Sequence, residues 1–398
     1  MIRGRETVAV EMDAPSTFGV VLRQTGSAIH QSTEDVDDPL RVEASVMKVK
    51  LVAIDLAKRV FQVCAIGIDG KLLFNRKLSR EKFILWLKDL LPTIVAMEAC
   101  GTAHYWGRRL QAMGHQVRLV PPQHVKAFVR VHKSDRDDAL AIAEAAQRPN
   151  LHFVPVKTIG QQDLQLLGRI RSALIARRTA VINQLRGFAA EYGIVIAKSR
   201  QHLMRDLPDV LADADNGLSF IARQALSELR DDLLAIDARI DQVTAQLVGL
   251  AEQEPAFERL LSVPGFGPIV GAAFVAAVGS GKQFRRGRDV AAWLGLIPRR
   301  DGTGGKVTLK RITKSGDRDL RLALIHGARA VLRWADRHEH VQSQWLLGLK
   351  ERRGANKTIV AFANKMARIG WAVTTGEGGY RRERAFKAQP PRNTTATA

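Results

Sequence analysis

The chain has little cysteine, no long apolar run and too few acids to balance its basic residues. Two cysteines in 398 residues, Cys64 and Cys100, cannot build a disulfide framework or a zinc cluster by themselves, which fits a reducing compartment. Both lie in apolar, strand-like runs and are expected in the core. The longest apolar stretch, Ile269 to Gly279, is rich in Ala and Gly and far short of the roughly 20 residues that a bilayer span requires. Glu6, Glu11 and Asp13 interrupt any signal-peptide core at the amino terminus. A cytoplasmic protein is expected.

What is present is basic charge. Sixty-one Lys and Arg stand against 40 Asp and Glu, a formal net charge of +21. Such a surplus points to a polyanionic partner, because each phosphate neutralised releases condensed counterions. Its placement is uneven. Residues 1–46 carry 4 basic and 8 acidic side chains, whereas residues 257–398 carry 27 basic and 10 acidic. The excess therefore sits in the last third of the chain.

At about 150 residues per domain, the length allows two or three domains. Residues 1–46 are acidic and aperiodic and read as a disordered leader, which an upstream start codon would explain. Residues 47–156 alternate apolar runs with amphipathic segments: strands at Val49 to Ile54, Val60 to Ile66, Gly70 to Leu78, Ile94 to Met97 and Val117 to Val120, and a helix from His104 to Met113. That order predicts an α/β sheet domain with an antiparallel start. Residues 157–256 read as long all-α helices, with Leu226, Leu229, Leu233, Ile236, Ile240, Val243, Leu247 and Leu250 forming a heptad seam. An intramolecular helical hairpin and a dimerising coiled coil fit that seam equally well. Residues 257–375 form a small, mainly helical basic domain, and residues 376–398 a basic disordered tail.

Four carboxylates carry the expected chemistry. Asp55 and Glu98 each end an apolar strand, and on neighbouring strands both would project from one sheet edge. Asp135 and Asp138, three apart, share one face at the start of a helix over Ser134 to Ala146. Acids are also favoured there by the helix dipole, and Ser134 with Asp137 resembles a capping pair. Four such carboxylates could hold two Mg²⁺ or Mn²⁺ ions for phosphodiester displacement.

The basic domain has its own signals. Val263 to Ala272 resembles the turn of a helix-hairpin-helix module, where Gly265 and Gly267 would let helix-start amides approach a phosphate. The Gly-rich loop Asp301 to Lys306 lacks P-loop spacing, which argues against nucleotide hydrolysis, and Thr303 is its sole hydroxyl. Arg299, Arg300, Lys306, Lys310, Arg311, Lys314, Arg318 and Arg321 crowd around it as candidate phosphate contacts.

Taken together, these blocks resemble the DEDD-type transposases of the insertion sequence one-ten family, particularly its eleven-eleven subgroup. The matching stretches are Val52 to Lys58, Met97 to Trp106, Lys133 to Ala139, and Pro264 to Gly267 through Gly316 to Arg318 and Ile325 to Arg329, in order over about residues 47–335. The resemblance implies a RuvC-like, RNase H-like domain whose metal-binding acids fall on Asp55, Glu98, Asp135 and Asp138, a coiled-coil spacer, and a carboxyl-terminal transposase domain bearing a hydroxyl nucleophile. It further implies DNA recombination through a covalent phospho-protein linkage, in an oligomer guided by a noncoding RNA that pairs with both DNA partners.

Two features depart from that family. Its nucleophilic Ser is replaced here by Thr303, whose methyl narrows an in-line approach to phosphorus, and relatives begin near the first strand rather than some 46 residues before it. Two other readings stand beside the recombinase: a metal-dependent junction nuclease without a covalent intermediate, and an inactive nucleic-acid-binding remnant.

Overall fold

The computed structural model describes residues 49–129, 134–303 and 306–386. The expected leader and the residues beyond Phe386 lie outside the described residues.

The first unit is a five-stranded sheet of order β3-β2-β1-β4-β5, formed by β1 (Val49–Leu56), β2 (Val60–Gly67), β3 (Leu72–Ser79), β4 (Ile94–Glu98) and β5 (Gln116–Val120). The first three strands are antiparallel neighbours, and β4 and β5 run parallel to β1. This mixed sheet is consistent with an RNase H-like α/β domain. Helix α1 (Arg80–Asp89), which the strand pattern did not announce, and α2 (Ala103–Ala112) cover one face. There Val52, Ile54, Val95 and Met97 meet Phe61, Phe83 and Trp106, whose rings pack edge-on at 5.1–5.5 Å. After a single turn, α3 (Pro122–Val125), helix α4 (Asp135–Ala146) covers the other face, against Leu51, Ala53, Cys64, Ile66 and Ala96. Alternation along the strands produces this division, since successive side chains point to opposite faces. Cys64 is core, as expected. Cys100 is not: it lies in the loop after β4, past the last paired residue, and is exposed.

Helices α5 (Ile159–Glu191) and α7 (Phe220–Ala251) then run side by side, with α6 (Arg200–Ala212) packed at their far end. Arg171 donates to Thr244 at 2.8 Å and Arg178 pairs with Asp237 at 3.3 Å, so a step of seven forward on α5 meets a step of seven back on α7. The two are antiparallel. Leu226, Leu233, Ile236 and Ile240 of the heptad seam are buried within the chain against residues such as Val181, Leu185 and Leu203, Val243 is buried beside them in sequence, and Leu247 is buried in the core of the last unit with Leu164.

The last unit gathers α8 (Phe257–Leu261), α9 (Pro268–Val278), α10 (Gly287–Trp293), α11 (Arg318–Arg333), α12 (Val341–Arg353), α13 (Ala355–Thr375) and α14 (Arg382–Ala385) around one core. Two results differ from the sequence expectation. The residues on either side of the Gly-rich loop's centre form a β-hairpin, β6 (Pro298–Thr303) and β7 (Lys306–Ile312), in which Val307, Thr308 and Ile312 supply β-branched residues to the strand that pairs back on Pro298 to Thr303. Residues 376–386 are folded rather than tail: Phe386 is buried against Trp345 and Phe362, and the Tyr380 hydroxyl donates to Gln342. No helix among the described residues is long and apolar enough to cross a membrane.

Candidate active site and nucleic-acid interface

The parallel register pairs Ala53 with Ala96 and Ile54 with Met97, so Asp55 and Glu98 stand at the next level of adjacent strands. Asp55 shares the parity of Leu51 and Ala53, and Glu98 that of Ala96; both therefore belong to the face that α4 covers. The same row continues outward, with Asp55 opposite Gln62 and Gln62 opposite Lys77. Helix α4 crosses this face obliquely. Its first turn lies over β3, where the Arg136 carbonyl accepts from the Asn75 amide, and its last lies over β5, where Ala146 accepts from Arg118. Ser134 caps it by accepting from the Asp137 amide, and the Ser134 hydroxyl donates to the Asp137 carboxylate at 2.6 Å. Asp137 is thereby used in capping, and Asp135 and Asp138 are left for other partners.

A cavity of about 160 Å³ opens at this end of the sheet, lined by Asp55, Ala57, Val60, Gln62, Lys77 and Asp135. The Lys77 ammonium pairs with Asp135 at 2.9 Å. Glu98 stands beside this group, and its charge is felt at Cys100: partial desolvation first, then the carboxylates of Glu98 and Asp55, raise that thiol above its ordinary range. The structure thus brings Asp55 to Asp135 across the cavity and to Glu98 along the strand ends, with Asp138 one helical turn away. Among the described residues, no three His, Cys, Asp or Glu side chains stand close enough to hold a metal ion. The donor chemistry still fits a hard divalent cation, being all oxygen, and the ammonium of Lys77 already rests against Asp135. Gln62 and Lys77 were missed in the sequence; counting back from the Ala57–Arg59 turn, which pairs Leu56 with Phe61, would have put Gln62 opposite Asp55.

The basic residues separate into two groups. Arg299, Arg300, Lys310, Arg311, Lys314 and Arg318 are exposed on or beside the β6–β7 ribbon, and Lys310 is paired with Asp301. Val307 and Leu309 are also exposed, at 64% and 63%. The side chains of Thr303 and Lys306 lie outside the described residues; their backbones are paired at the ribbon tip. Arg321 corrects its expected role. It is only 8% exposed, and its guanidinium donates to the carbonyls of Leu294, Ser315 and Asp317, tying α11 to the base of the ribbon. Gly265 is also an internal contact: with φ +91°, it lies where an added Cβ would strike Met366 and the Gly327 backbone, so its close approach is to α11 and not to a phosphate. Gly267, which precedes α9, has open space around it. A groove of about 970 Å³ between α5, α9 and α11 adds Arg169, Arg171 and His326 to Arg318. Those α5 cations were hidden in the sequence by a helix read only for its apolar period.

Carboxylates are grouped at a sheet edge and cations on a ribbon elsewhere in the chain, and comparison with known proteins gives the class: a transposase, an enzyme that transfers DNA. A transposase family model of the DEDD type (IS110) matches residues 52–194, and that of the transposase IS116/IS110/IS902 family matches residues 257–343. A probable family 20 transposase of Pseudomonas aeruginosa is 44% identical over 84% of this chain and 99% of its own length. The transposase for insertion sequence element IS1111A of Coxiella burnetii is 39% identical over 93% of this chain and 99% of its own. That for IS1328 of Yersinia enterocolitica is 36% identical over 82% and 97%. The chain belongs to the IS110/IS116/IS902 transposase family, and its partner is DNA.

Proposed function

We propose that this transposase breaks and rejoins DNA by a DEDD mechanism, in which Asp55, Glu98, Asp135 and Asp138 hold Mg²⁺ or Mn²⁺ and Thr303 is the nucleophile. The observation that carries this reading is the common level of Asp55 and Glu98 on adjacent parallel strands, under the helix whose first turn bears Asp135 and Asp138. Two bound divalent ions would offset the charge that develops on the phosphate and the leaving oxygen. The Thr303 oxygen forms a bond to a DNA phosphorus and gives up its proton to solvent. The bond from that phosphorus to a deoxyribose oxygen breaks, and the departing oxygen takes a proton. A deoxyribose hydroxyl of the other DNA reverses the step and frees Thr303. Arg299, Arg300, Lys306, Lys310, Arg311, Lys314 and Arg318 hold backbone phosphates, and the Gly267 end of α9 offers amides to another.

In this reading a noncoding RNA pairs with both DNA partners, so base pairing chooses sequence while the protein reads backbone. The chain acts as a homo-oligomer, a dimer or higher, with the helical hairpin supplying coiled-coil contacts from its outer surface, since its seam is filled from within. The domain limits are 47–156 for the RuvC-like unit, 157–256 for the spacer and 257–375 for the transposase unit, which the packed residues 376–386 extend. Relatives named as transposases over most of their length do not favour a junction nuclease. Trapping the reaction in denaturing detergent with labelled DNA tests the mechanism. A protein-linked band is expected from the native chain and from Thr303→Ser, and none from Thr303→Val; a band that survives in Thr303→Val moves the nucleophile elsewhere.

A further inference from the structure

Gln62 stands opposite Asp55 and Lys77 opposite Gln62 in the row that lines the acid cavity, and neither has a part in the mechanism above. Gln62 is 6% exposed, yet its Oε1 has no hydrogen-bond partner. Burying an amide oxygen unpaired is costly, so a residue kept this way in a strand centre needs a reason. The neighbouring contacts show how the amide is held. Its nitrogen donates to Asn75 Oδ1, and the Asn75 nitrogen donates to the Arg136 carbonyl at 2.9 Å in the first turn of α4. That relay uses the nitrogen of Gln62 and leaves its oxygen as the free acceptor on a residue that lines the cavity with Asp55 and Asp135. Lys77 lines the same cavity and holds Asp135, and both partners of that pair are largely in solvent, at 65% and 63% side-chain exposure. A pair so exposed is weak and easily exchanged for a stronger cation.

We propose that Gln62 supplies a neutral oxygen to a divalent cation or its hydration shell beside Asp55, and that the Lys77 ammonium holds that place against Asp135 until the cation displaces it. The inference rests on the metal reading above and adds two residues to it. A neutral amide oxygen is a normal ligand for hard divalent cations and adds no charge to a site already rich in carboxylate. Lys77 keeps Asp135 compensated in the cation-free protein, and swings into solvent as the ion enters. In this account Gln62 meets the ion or its water directly, whereas Lys77 and Asn75 are positioning residues.

The test is Mn²⁺ binding to the full chain without DNA, followed by electron paramagnetic resonance of the free ion. Gln62→Met is expected to weaken binding about tenfold, as loss of a group supporting a metal site does, and Gln62→Glu to tighten it by adding a charge at the same place. Lys77→Met should tighten binding about five- to tenfold by removing a competing positive charge a few ångströms from the ion. Asp55→Asn should abolish it. Binding unchanged in both Gln62 variants overturns the role of Gln62, and the glutamate variant decides the matter should the methionine variant fail to fold. Unchanged binding in Lys77→Met overturns the placeholder. Should the native chain bind no Mn²⁺, or Asp55→Asn bind as well as native, the metal reading fails and this inference with it; loss in Asp55→Asn alone leaves that reading standing and removes only the two added residues.

Discussion

The five-stranded sheet is covered on both faces, by α1 and α2 on one side and α4 on the other, whereas the β6–β7 ribbon exposes Val307, Leu309 and its cations to solvent. A sheet packed on both sides over-determines its own register, because a one-residue slip would turn Val52 and Ile54 out of one core and Leu51 and Ala53 out of the other. Residues at its strand ends are therefore held in place without help from a ligand. A two-stranded ribbon standing alone is marginal in water and can adjust to what it touches. The chain places its grouped acids on the first kind of support and its exposed ribbon cations on the second.

Four experiments would break or sharpen that contrast, beginning with the largest effect. Asp55→Asn or Glu98→Gln should lower strand exchange about 10³-fold or more while DNA binding persists; undiminished exchange in either variant refutes the assignment of acids to the rigid sheet. Gly327→Ala pushes a methyl into the Gly265 carbonyl and should cost about 1–3 kcal/mol in denaturant unfolding, as overpacking does, showing that rigidity in the basic domain lies where the α8–α9 turn meets α11 and not in the ribbon.

The third concerns pH. His104 in α2 is held near pKa 4, first by burial and then by the Lys157 and Arg108 charges, and its Nδ1 accepts from the Lys157 amide. With the folded value below the unfolded one, the unfolded chain binds more protons between those two values, so stability is full above about pH 6.5 and falls as pH drops toward 4. Discounted for partial exposure, the loss is about 1–2 kcal/mol; His104→Asn should flatten it, and an unchanged pH profile in that variant removes His104 as its source. The smallest effect belongs to the ribbon. Arg299→Ala or Arg311→Ala should reduce the salt slope of DNA binding by about one each and leave the unfolding free energy within about 0.5 kcal/mol; a large loss of stability would mean the ribbon is packed after all.

Much of this was legible along the chain. All five strands, helices α2 and α4 and the long helical pair were readable because alternation and a seven-residue repeat are local patterns. The acids at strand ends were equally plain, since a carboxylate closing an apolar run stands out. Arg321 was not readable: in sequence it is one more cation in a basic run, and only the crossing of α11 over Leu294 and Ser315 makes it an internal clamp. The β6–β7 pairing was not readable for a related reason, because the register that joins Pro298 to Ile312 shows only once both strands are placed. The bland alternative to the coiled coil, an internal hairpin, is what the seam forms within one chain.

The amino acids alone settled the location of the charge, the strand and helix periods and the positions of Asp55, Glu98, Asp135 and Asp138, because each of these depends on residues a few places apart. Tertiary structure alone decided that β1 lies between β2 and β4, which sets Asp55 level with Glu98 and Gln62, and that α4 brings Asp135 onto Lys77. Those contacts join residues 43 to 58 places apart in the chain for the β1–β4 and Lys77–Asp135 pairs, and no local pattern encodes which of the possible partners a strand or helix will bury its face against.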